Sequence, residues 1–369
     1  MGAGMVGSAM AIDLHKRYAV TSADVNEEAL ALLKNNYGIN TIKCDVTQWD
    51  ALKKLVQDYD LIISAVPGFL GYRTVETIIE AGKNLVDISF MPENTLQLNN
   101  KALAHGVTAI TDCGVAPGMP NLIAGYHNTL MKIEHFQYMV GGLPKVRTFP
   151  FEYKAPFSPI DVIEEYTRPA RFLQNNEIIV KPPMSDAELI DFEKAGTLEA
   201  FNTDGLRSLI FTLKNIPNIS EKTLRYPGHI KLIQALKTAG FFDHGTINVK
   251  GNDIRPVDVT NTILFKSWKL QPEEEEFTVM RVTLKGTQNG RPKEVVYELY
   301  DAYCPETKIS SMARTTGYTA TAAATMFLEG HFTDKGIIPP ELIGKYKHCF
   351  DFMMDYLKER KVIYSVKEK

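Results

Sequence analysis

Gly2-Ala3-Gly4-Met5-Val6-Gly7 opens the chain with the spacing G-x-G-x-x-G. A helical pattern of apolar residues follows, then the strand-like Tyr18 to Ala23, then Asp24. In this order the first glycine permits a tight turn, the second lets the backbone approach a pyrophosphate, and the third lets the helix pack on a strand. The stretch therefore predicts the phosphate-binding turn of a dinucleotide-binding fold.

Asp24 stands where this fold places an acid that accepts hydrogen bonds from ribose hydroxyls. Val25 and Asn26 follow it, and neither is a cation that could bind a 2′-phosphate, so we expect the cofactor NAD rather than NADP. Asp45 is a candidate adenine contact, although a helix N-cap explains it equally well. The expected cofactor-binding residues are Gly2, Gly4, Met5, Val6, Gly7, Asp24, Asp45, Val46, Ala65, Val66, Pro67, Gly68 and Pro117.

Only Met1 precedes the glycine turn, whereas the fold normally begins with a central strand at that place. We therefore expect the first strand to be missing from this chain. A start-site error is one explanation.

The fold class expected is α/β: a Rossmann doubly wound parallel sheet followed by an α+β mixed-sheet domain. The continuous apolar run from Asp60 to Val66 is typical of a strand buried on both faces, and Pro67-Gly68 ends it. After Pro117 strands outnumber helices, among them 151–154 and a hairpin through Asn289-Gly290. We assign residues 1–117 and about 313–369 to a dinucleotide-binding domain, and residues 118–312 to an α+β domain for substrate binding and dimerisation.

Composition excludes several classes of protein. A net charge of −3 gives no reason to expect nucleic acid or a membrane as partner, and no apolar run is long enough to span a bilayer. The four cysteines lack metal-ligand spacing, so no metal is expected, and the acidic run 271–276 is interpreted as a solvated turn. We expect a cytoplasmic enzyme with a small amino-acid substrate, assembled as a homo-dimer or higher homo-oligomer.

Five motifs in order resemble the saccharopine dehydrogenase-like family across nearly the whole chain. They are Asp112-Cys113-Gly114-Val115-Ala116-Pro117-Gly118, Gly141-Gly142-Leu143-Pro144, Tyr153-Lys154, Thr223-Leu224-Arg225-Tyr226-Pro227-Gly228-His229 and Met312-Ala313-Arg314-Thr315-Thr316-Gly317-Tyr318. Within the family the chain is most similar to the lysine 6-dehydrogenase type. The resemblance implies NAD-dependent oxidative deamination of the ε-amine of L-lysine to the 6-semialdehyde, which cyclises to piperideine-6-carboxylate.

Departures from the reductase members of that family support this reading. Those members have an acid at the position of Ala116 and a glycine at the position of Glu152. They have the sequence N-R-D-S at positions 202–205, where this chain has N-T-D-G. The exchanges remove an arginine for a second carboxylate and add a carboxylate beside Tyr153. Arg207 then becomes a candidate partner for the single α-carboxylate, although a surface ion pair explains it as well.

Oxidation of an amine needs a base, because the nitrogen lone pair must be free when the C–H bond breaks. The candidates are Glu152, Lys154, Asp87 and His229. Alternatively, Glu152 and Lys154 pair with each other, Asp87 orders a strand end, and His229 is a hydrogen-bonded core histidine. The expected substrate-binding residues are Ser89, Asn121, Tyr153, Arg207 and Arg225, with helix capping as the alternative for Ser89 and Asn121.

Two other functions stay open on sequence alone. One is a saccharopine- or carboxynorspermidine-type dehydrogenase, which would require a keto acid as co-substrate. The other is a non-catalytic NAD-binding protein, which would bind the cofactor without amine-dependent reduction.

Overall fold

The computed structural model describes residues 1–369, apart from the side chains of Pro159 and Ile160. Helices and strands alternate in the first third of the chain. The elements there are α1 Met5–Leu14, β1 Thr21–Asp24, α2 Glu27–Tyr37, β2 Asn40–Lys43, α3 Trp49–Leu55, β3 Leu61–Ser64, α4 Gly68–Glu80, β4 Asn84–Asp87, α5 Asn99–Ala104, β5 Thr108–Ile110 and α6 Met119–His127.

Strands dominate the remainder of the chain until its last third, where helices return. The elements are β6 Lys132–Pro144, α7 Pro159–Thr167, β7 Ala170–Gln174, β8 Glu177–Lys181, β9 Glu188–Phe192, β10 Gly196–Asn202, α8 Leu209–Thr212, β11 Asn218–Arg225, α9 His229–Thr238, β12 Ile247–Val249, β13 Asn252–Ile254, α10 Pro256–Trp268, β14 Glu276–Gln288, β15 Arg291–Ala302, α11 Ser311–Leu328, β16 Gly336–Ile338, α12 Pro340–Gly344, α13 Lys347–Glu359 and β17 Tyr364–Glu368.

The parallel strands form two sheets, one of β1 and β2 and one in the order β16-β5-β4-β3. Met1 lies between them. Its amino group donates to Ile63 O, its carbonyl accepts from Ala65 N, and Gly2 N donates to Ala23 O. Met1 therefore lies in line between β1 and β3 and holds the glycine turn that follows it.

The second domain is built on a nine-stranded mixed sheet in the order β17-β15-β14-β6-β11-β10-β9, with β7 paired to β11 and β8 paired to β7. Strands β6 and β11 are parallel, whereas β14 runs antiparallel to both β6 and β15. This mixed sheet and the parallel sheets confirm the expected fold class.

The hairpin expected from Asn289-Gly290 is confirmed. Gln288 pairs with Arg291 across a two-residue turn, and both turn residues have positive φ, as a type I′ turn requires. The strand expected over 151–154 is wrong, because Glu152 has a φ of 50° and donates its N–H to Thr148 O in a turn.

The acidic run at 271–276 is only in part the solvated turn that we expected. Glu273, Glu274 and Glu275 lie in or next to an exposed turn, but Glu276 is the first residue of β14 and is buried. Its carboxylate accepts hydrogen bonds from Ser311 at the start of α11. The sequence pattern did not separate this residue from its neighbours, because its partner is 35 residues away.

Helix α11 connects β15 of the mixed sheet to β16 of the four-stranded parallel sheet. It packs on α1, where Gly317 lies close to Met10, and most of its residues are buried. Strand β16 then extends the parallel sheet beside β5, and β17 pairs with β15 of the mixed sheet. None of the helices in the described part of the chain is long and apolar enough to cross a membrane. The domain boundaries at 117 and 313 stay a prediction.

Candidate active site

A cavity of about 590 Å³ lies between the glycine turn and the mixed sheet. One end is lined by the turn and by the carboxyl ends of β1, β2 and β3. The other end is lined by side chains from β6 and β11 and by residues of α7. Ligands of doubly wound sheets bind at the carboxyl ends of the strands, so this cavity is the candidate active site.

The glycine turn has the shape that an anion needs. Gly2 has a φ of +90°, and a Cβ on Gly7 would lie 2.0 Å from Gly2 O, so α1 approaches the turn as closely as glycine allows. A Cβ on Gly4 would meet no atom within 4 Å, and Gly4 lines the cavity. The turn therefore leaves open a cradle at the N-terminus of α1, where a pyrophosphate fits.

Asp24 ends β1 at the rim of this cradle. Its Oδ2 accepts from Ala3 N at 2.5 Å and its Oδ1 accepts from Asn26 N at 2.8 Å. Val25, Cys44, Asp45 and Val46 complete this end of the cavity, and none of these described side chains is cationic. Asp45 also accepts hydrogen bonds from Thr47, so it caps a turn as well as lining the cavity.

The structure brings twelve of the thirteen expected cofactor residues to the cavity wall. These are Gly2, Gly4, Met5, Val6, Gly7, Asp24, Asp45, Val46, Ala65, Val66, Pro67 and Pro117. Gly68 lies behind the wall, where its N–H faces Asp161 Oδ1 at 3.3 Å and a Cβ would lie 2.4 Å from Phe90 O. Gly68 is thus placed to let α4 pack closely rather than to line the cavity.

The mixed sheet forms the opposite wall of the cavity. Tyr138 of β6 stands beside Glu221 of β11, and Val140 stands beside Thr223. Alternate residues of a strand share one face, so Glu221, Thr223 and Arg225 all point toward the cavity, and all three line it.

Glu221 is a buried carboxyl group without an ion pair among the described residues. Thr203 Oγ1 lies 2.7 and 2.8 Å from its two oxygens, and Gly205 N donates to it at 3.0 Å. Burial raises the pKa of Glu221 to about 8. A carboxyl group with that pKa is suited to take a proton near neutral pH.

Arg225 lies on the same face of β11, buried among acceptors. It donates to Glu165 at 2.5 Å, to Tyr166 Oη at 3.0 Å, to Tyr153 Oη at 3.4 Å and to Leu224 O at 2.9 Å. A guanidinium has five N–H groups, so one further donor is free of these four contacts. Arg225 is therefore held firmly and keeps a donor for a ligand.

His229 fixes the direction of the hydrogen bonds behind Arg225. Its Nδ1 lies 2.8 Å from Phe151 O and its Nε2 lies 2.9 Å from Tyr166 Oη. Burial lowers the pKa of His229 to about 3, so the ring is neutral, Nδ1 donates and Nε2 accepts from Tyr166. Tyr166 then offers its oxygen to Arg225, and His229 lies outside the cavity as a core histidine.

Glu152 and Lys154, expected as bases, do not line the cavity. Glu152 pairs with Arg147, and its side chain is 31% exposed. Lys154 donates to Ser267 O at 3.1 Å and lies 3.9 Å from Glu274. Tyr153, which stands between them, contacts Arg225, but these pairings leave neither Glu152 nor Lys154 placed to meet a ligand in the cavity.

Arg207 and Asn121, expected to bind substrate, also lie outside the cavity. Arg207 pairs with buried Asp112 at 3.0 Å and donates to Met91 O and to Glu93 O. Asn121 accepts from Gly118 N at the start of α6 and donates to Glu341. Asn121 therefore caps α6, which is the alternative that the sequence left open, whereas the ion pair of Arg207 is buried and not at the surface as the alternative expected.

Ser89 lines the cavity, and Asp87 lies directly behind it. Ser89 donates its hydroxyl and its backbone N–H to the Asp87 carboxylate at 2.8 and 3.0 Å. Burial raises the pKa of Asp87 to about 7. Tyr153 likewise stands behind the wall, where Arg225 stacks on its ring at 4.4 Å.

Three carboxyl groups that were not expected from the sequence line the end of the cavity near the mixed sheet, namely Glu221, Glu165 and Asp161. Burial raises the pKa of each, to about 8 for Glu221 and about 6 for Asp161. One signal could have identified Glu221. In the order Glu221-Lys222-Thr223-Leu224-Arg225, the period of a strand places an acid on the same face as an arginine of the fourth motif.

The chain matches two protein-family models, which together cover most of its length. Residues 1–110 match the saccharopine dehydrogenase NADP binding domain, and residues 114–363 match the saccharopine dehydrogenase C-terminal domain. The first of these models describes a pyridine-nucleotide-binding domain, in agreement with the glycine turn.

Among curated proteins, the chain is 23% identical to the mitochondrial alpha-aminoadipic semialdehyde synthase of Rattus norvegicus, over 84% of this chain and 41% of that protein. It is 27% identical to the saccharopine dehydrogenase [NADP(+), L-glutamate-forming] of Schizosaccharomyces pombe, over 55% of this chain and 48% of that protein. The chain thus spans about half the length, or less, of these relatives.

The fold is similar to that of apo saccharopine dehydrogenase (L-Glu forming) from Saccharomyces cerevisiae. The TM-score is 0.79 with 20% sequence identity, over 100% of this chain and 98% of that one. At this identity the likeness concerns the fold.

Proposed function

The chain belongs to the saccharopine dehydrogenase family, and from this premise we propose that it oxidises the ε-amine of L-lysine with NAD. The product would be the 6-semialdehyde, released with ammonia, which then cyclises. The alternative within the family is a substrate of the saccharopine type.

The charge of the cavity near the mixed sheet is the observation that carries the proposal. Among the described side chains that line the cavity, Arg225 is the only lysine or arginine. Three acids, Asp161, Glu165 and Glu221, line the same end of the cavity near the mixed sheet. L-lysine carries one carboxylate and two amines, which fits one arginine and a surplus of carboxyl groups. Saccharopine carries three carboxylates, and a cavity with one arginine gives two of them no cationic partner.

Glu221 is the proposed base, in place of Glu152. It has no ion-pair partner in the described structure, so once it is deprotonated its carboxylate is available to an incoming ammonium group. The ε-ammonium gives its proton to the Glu221 carboxylate, which leaves the nitrogen lone pair free to form a C=N bond. Glu221 then gives that proton up to solvent, and its carboxylate removes a proton from the water that adds to the iminium carbon. It returns this proton to the carbinolamine nitrogen, so ammonia leaves as the C=O bond forms and the hydroxyl proton is lost.

Arg225 is the proposed partner of the α-carboxylate, in place of Arg207, which we expected in that role from the sequence. Its free N–H can donate to that carboxylate while its other donors stay with Glu165, Tyr166, Tyr153 and Leu224 O. A fixed guanidinium loses little side-chain entropy when it binds.

NAD is the proposed cofactor, held by the Gly2–Gly7 turn and by Asp24, and it would accept the hydride from the ε-carbon. The saccharopine dehydrogenase of Schizosaccharomyces pombe is named for NADP(+), so the choice of NAD rests on Asp24 and on the acidic lining around it. A 2′-phosphate beside Asp24 and Asp45 would meet two carboxylates and no cation among the described residues of this end.

We also propose that residues 1–117 with 313–369 hold the cofactor and that 118–312 hold the substrate. The cavity supports this division, since its two ends come from these two parts and Met312 and Thr316 lie at their junction. The assignment of 118–312 to dimerisation and the homo-oligomeric state stay predictions.

The second candidate function is NADP-dependent saccharopine oxidation, which the names of the curated relatives favour. Incubating the protein with NAD or NADP and with L-lysine or saccharopine, while following reduced cofactor and free ammonia, tests both. Lysine-dependent NADH with one ammonia per NADH supports the proposal. NADPH formed from saccharopine without ammonia replaces it with the second candidate.

A further inference from the structure

We propose that strand β11 sets the length of the ω-amino acid that the cavity oxidises. This inference rests on the proposed function, because it takes Glu221 as the site of the distal amine and Arg225 as the site of the α-carboxylate. Both groups stand on one strand, so their separation is fixed by the strand rather than by the packing of separate elements.

The alternation of β11 places both groups on one face. Lys222, on the opposite face, donates to Glu188 at 2.6 Å, and Leu224 packs in a separate apolar cluster with Met139 and Leu143. Glu221 and Arg225 are four residues apart, and a strand rises about 3.3 Å per residue, so their Cα atoms are separated by roughly 13 Å. Thr223 lies between them on the cavity wall.

An extended lysine matches that separation. Six bonds of about 1.5 Å join its carboxyl carbon to its ε-nitrogen, and in a zigzag chain they span roughly 7.5 Å. One hydrogen bond of about 2.9 Å at each end brings the total to roughly 13 Å. Side chains of a strand stand roughly perpendicular to the sheet, so the tips of Glu221 and Arg225 keep about the spacing of their Cα atoms.

Neither end can move easily to meet a shorter or longer ligand. Glu221 is held by Thr203 and Gly205, and Arg225 is held by four acceptors, one of which, Tyr166, is itself held by His229. Strand β11 is paired on both sides, with β6 and with β10. A ligand that is one methylene shorter or longer therefore loses contact at one end or must bend.

The test compares L-ornithine, L-lysine and L-homolysine, which differ by one methylene at each step. We expect kcat/KM for lysine to exceed that for both other amino acids by about tenfold or more, because one extra or missing methylene typically changes kcat/KM by that factor. The variant Glu221→Asp withdraws the carboxylate by one methylene, so the homolysine-to-lysine ratio should rise by roughly tenfold. Glu152→Asp makes the same chemical change outside the cavity and should leave the ratio as in the unmodified protein.

If Glu221→Asp is inactive with every amine, the same ratio is measured as dissociation constants, from quenching of NADH fluorescence in the protein–NADH complex. Arg225→Lys shortens the reach from the other end and should move the ratio in the same direction. Equal use of the three amino acids, or a ratio that neither cavity variant changes, overturns the inference while lysine oxidation stands. If no amine reduces NAD at all, the proposed function itself fails.

Discussion

Replacing Glu221 by Gln is the perturbation that most sharply separates the proposed base from its rivals. The amide keeps an oxygen that can accept from Thr203 and Gly205, but it loses both the negative charge and the ability to take a proton. General-base catalysis contributes about 10²- to 10⁴-fold, which corresponds to about 3–5 kcal/mol of transition-state stabilisation. We expect kcat/KM for lysine to fall by that factor in steady-state assays of NADH formation.

The pH dependence of the unmodified protein should report the same group. Burial holds the pKa of Glu221 at about 8, so the carboxylate is mostly protonated below that pH and cannot act as a base. The kcat/KM for lysine should therefore rise with pH through about 8 in the free enzyme.

The free energy of unfolding should fall with rising pH, whereas kcat/KM rises. The unfolded chain releases the Glu221 proton near its ordinary pKa of 4.5, whereas the folded chain retains it up to about pH 8. The stability contributed by this group is therefore fully present below pH 4.5 and is lost between about pH 4.5 and 8. Above that range Glu221→Gln should be more stable than the unmodified protein by up to a few kcal/mol, measured by thermal unfolding at pH 6 and pH 9.

Glu152→Gln is the matched control, because it makes the same change in a carboxylate that pairs with Arg147 outside the cavity. It should keep kcat/KM within about threefold, since exposed ion pairs contribute about 1 kcal/mol or less. Full activity in Glu221→Gln, or an equal loss in Glu152→Gln, would refute the reasoning.

Three further changes test other parts of the cavity. Asp24→Ala should weaken NAD binding and narrow the preference for NAD over NADP, measured from kcat/KM with each cofactor; equal use of both cofactors by the unmodified protein would exclude the role of Asp24. Tyr166→Phe leaves Arg225 Nε and His229 Nε2 without their shared partner, so KM for lysine should rise about tenfold while kcat changes little, and a pure loss of kcat would contradict the positioning role. Gly7→Ala places a Cβ against Gly2 O and should abolish cofactor binding measured by NADH fluorescence, whereas Gly38→Ala, with open space but a φ of +70°, should cost only stability.

Local patterns predicted the parts of this fold that depend on neighbouring residues. The spacing of Gly2, Gly4 and Gly7 and the pair Asn289-Gly290 each require a particular backbone conformation, and the structure has both turns. The segment 151–154 was predicted wrongly because the positive φ of Glu152 is not encoded by its own residue type. A turn that depends on distant packing leaves no short-range signal.

The candidate base was harder to predict for a related reason. Glu152 stands out in the sequence because it departs from a family pattern, whereas Glu221 is an ordinary acid within a strand. What distinguishes Glu221 is that β11 lies between β6 and β10 and turns this face toward the cavity. Strands β6 and β11 pair although they are more than 80 residues apart in the sequence. Strand periodicity alone could therefore predict which residues of β11 share a face, but not which side chain reaches a ligand.

Oxidation at the ε-carbon of lysine is the central claim, and isotopic labelling tests it most directly. The protein is incubated with NAD and L-lysine that carries ¹⁵N in the ε-amine and deuterium on the ε-carbon, and the ammonia and reduced cofactor are analysed by mass spectrometry. The account predicts ¹⁵N-labelled ammonia and one deuterium in the reduced nicotinamide ring for each ammonia released. Unlabelled ammonia from the α-amine, or reduced cofactor without deuterium, would contradict it.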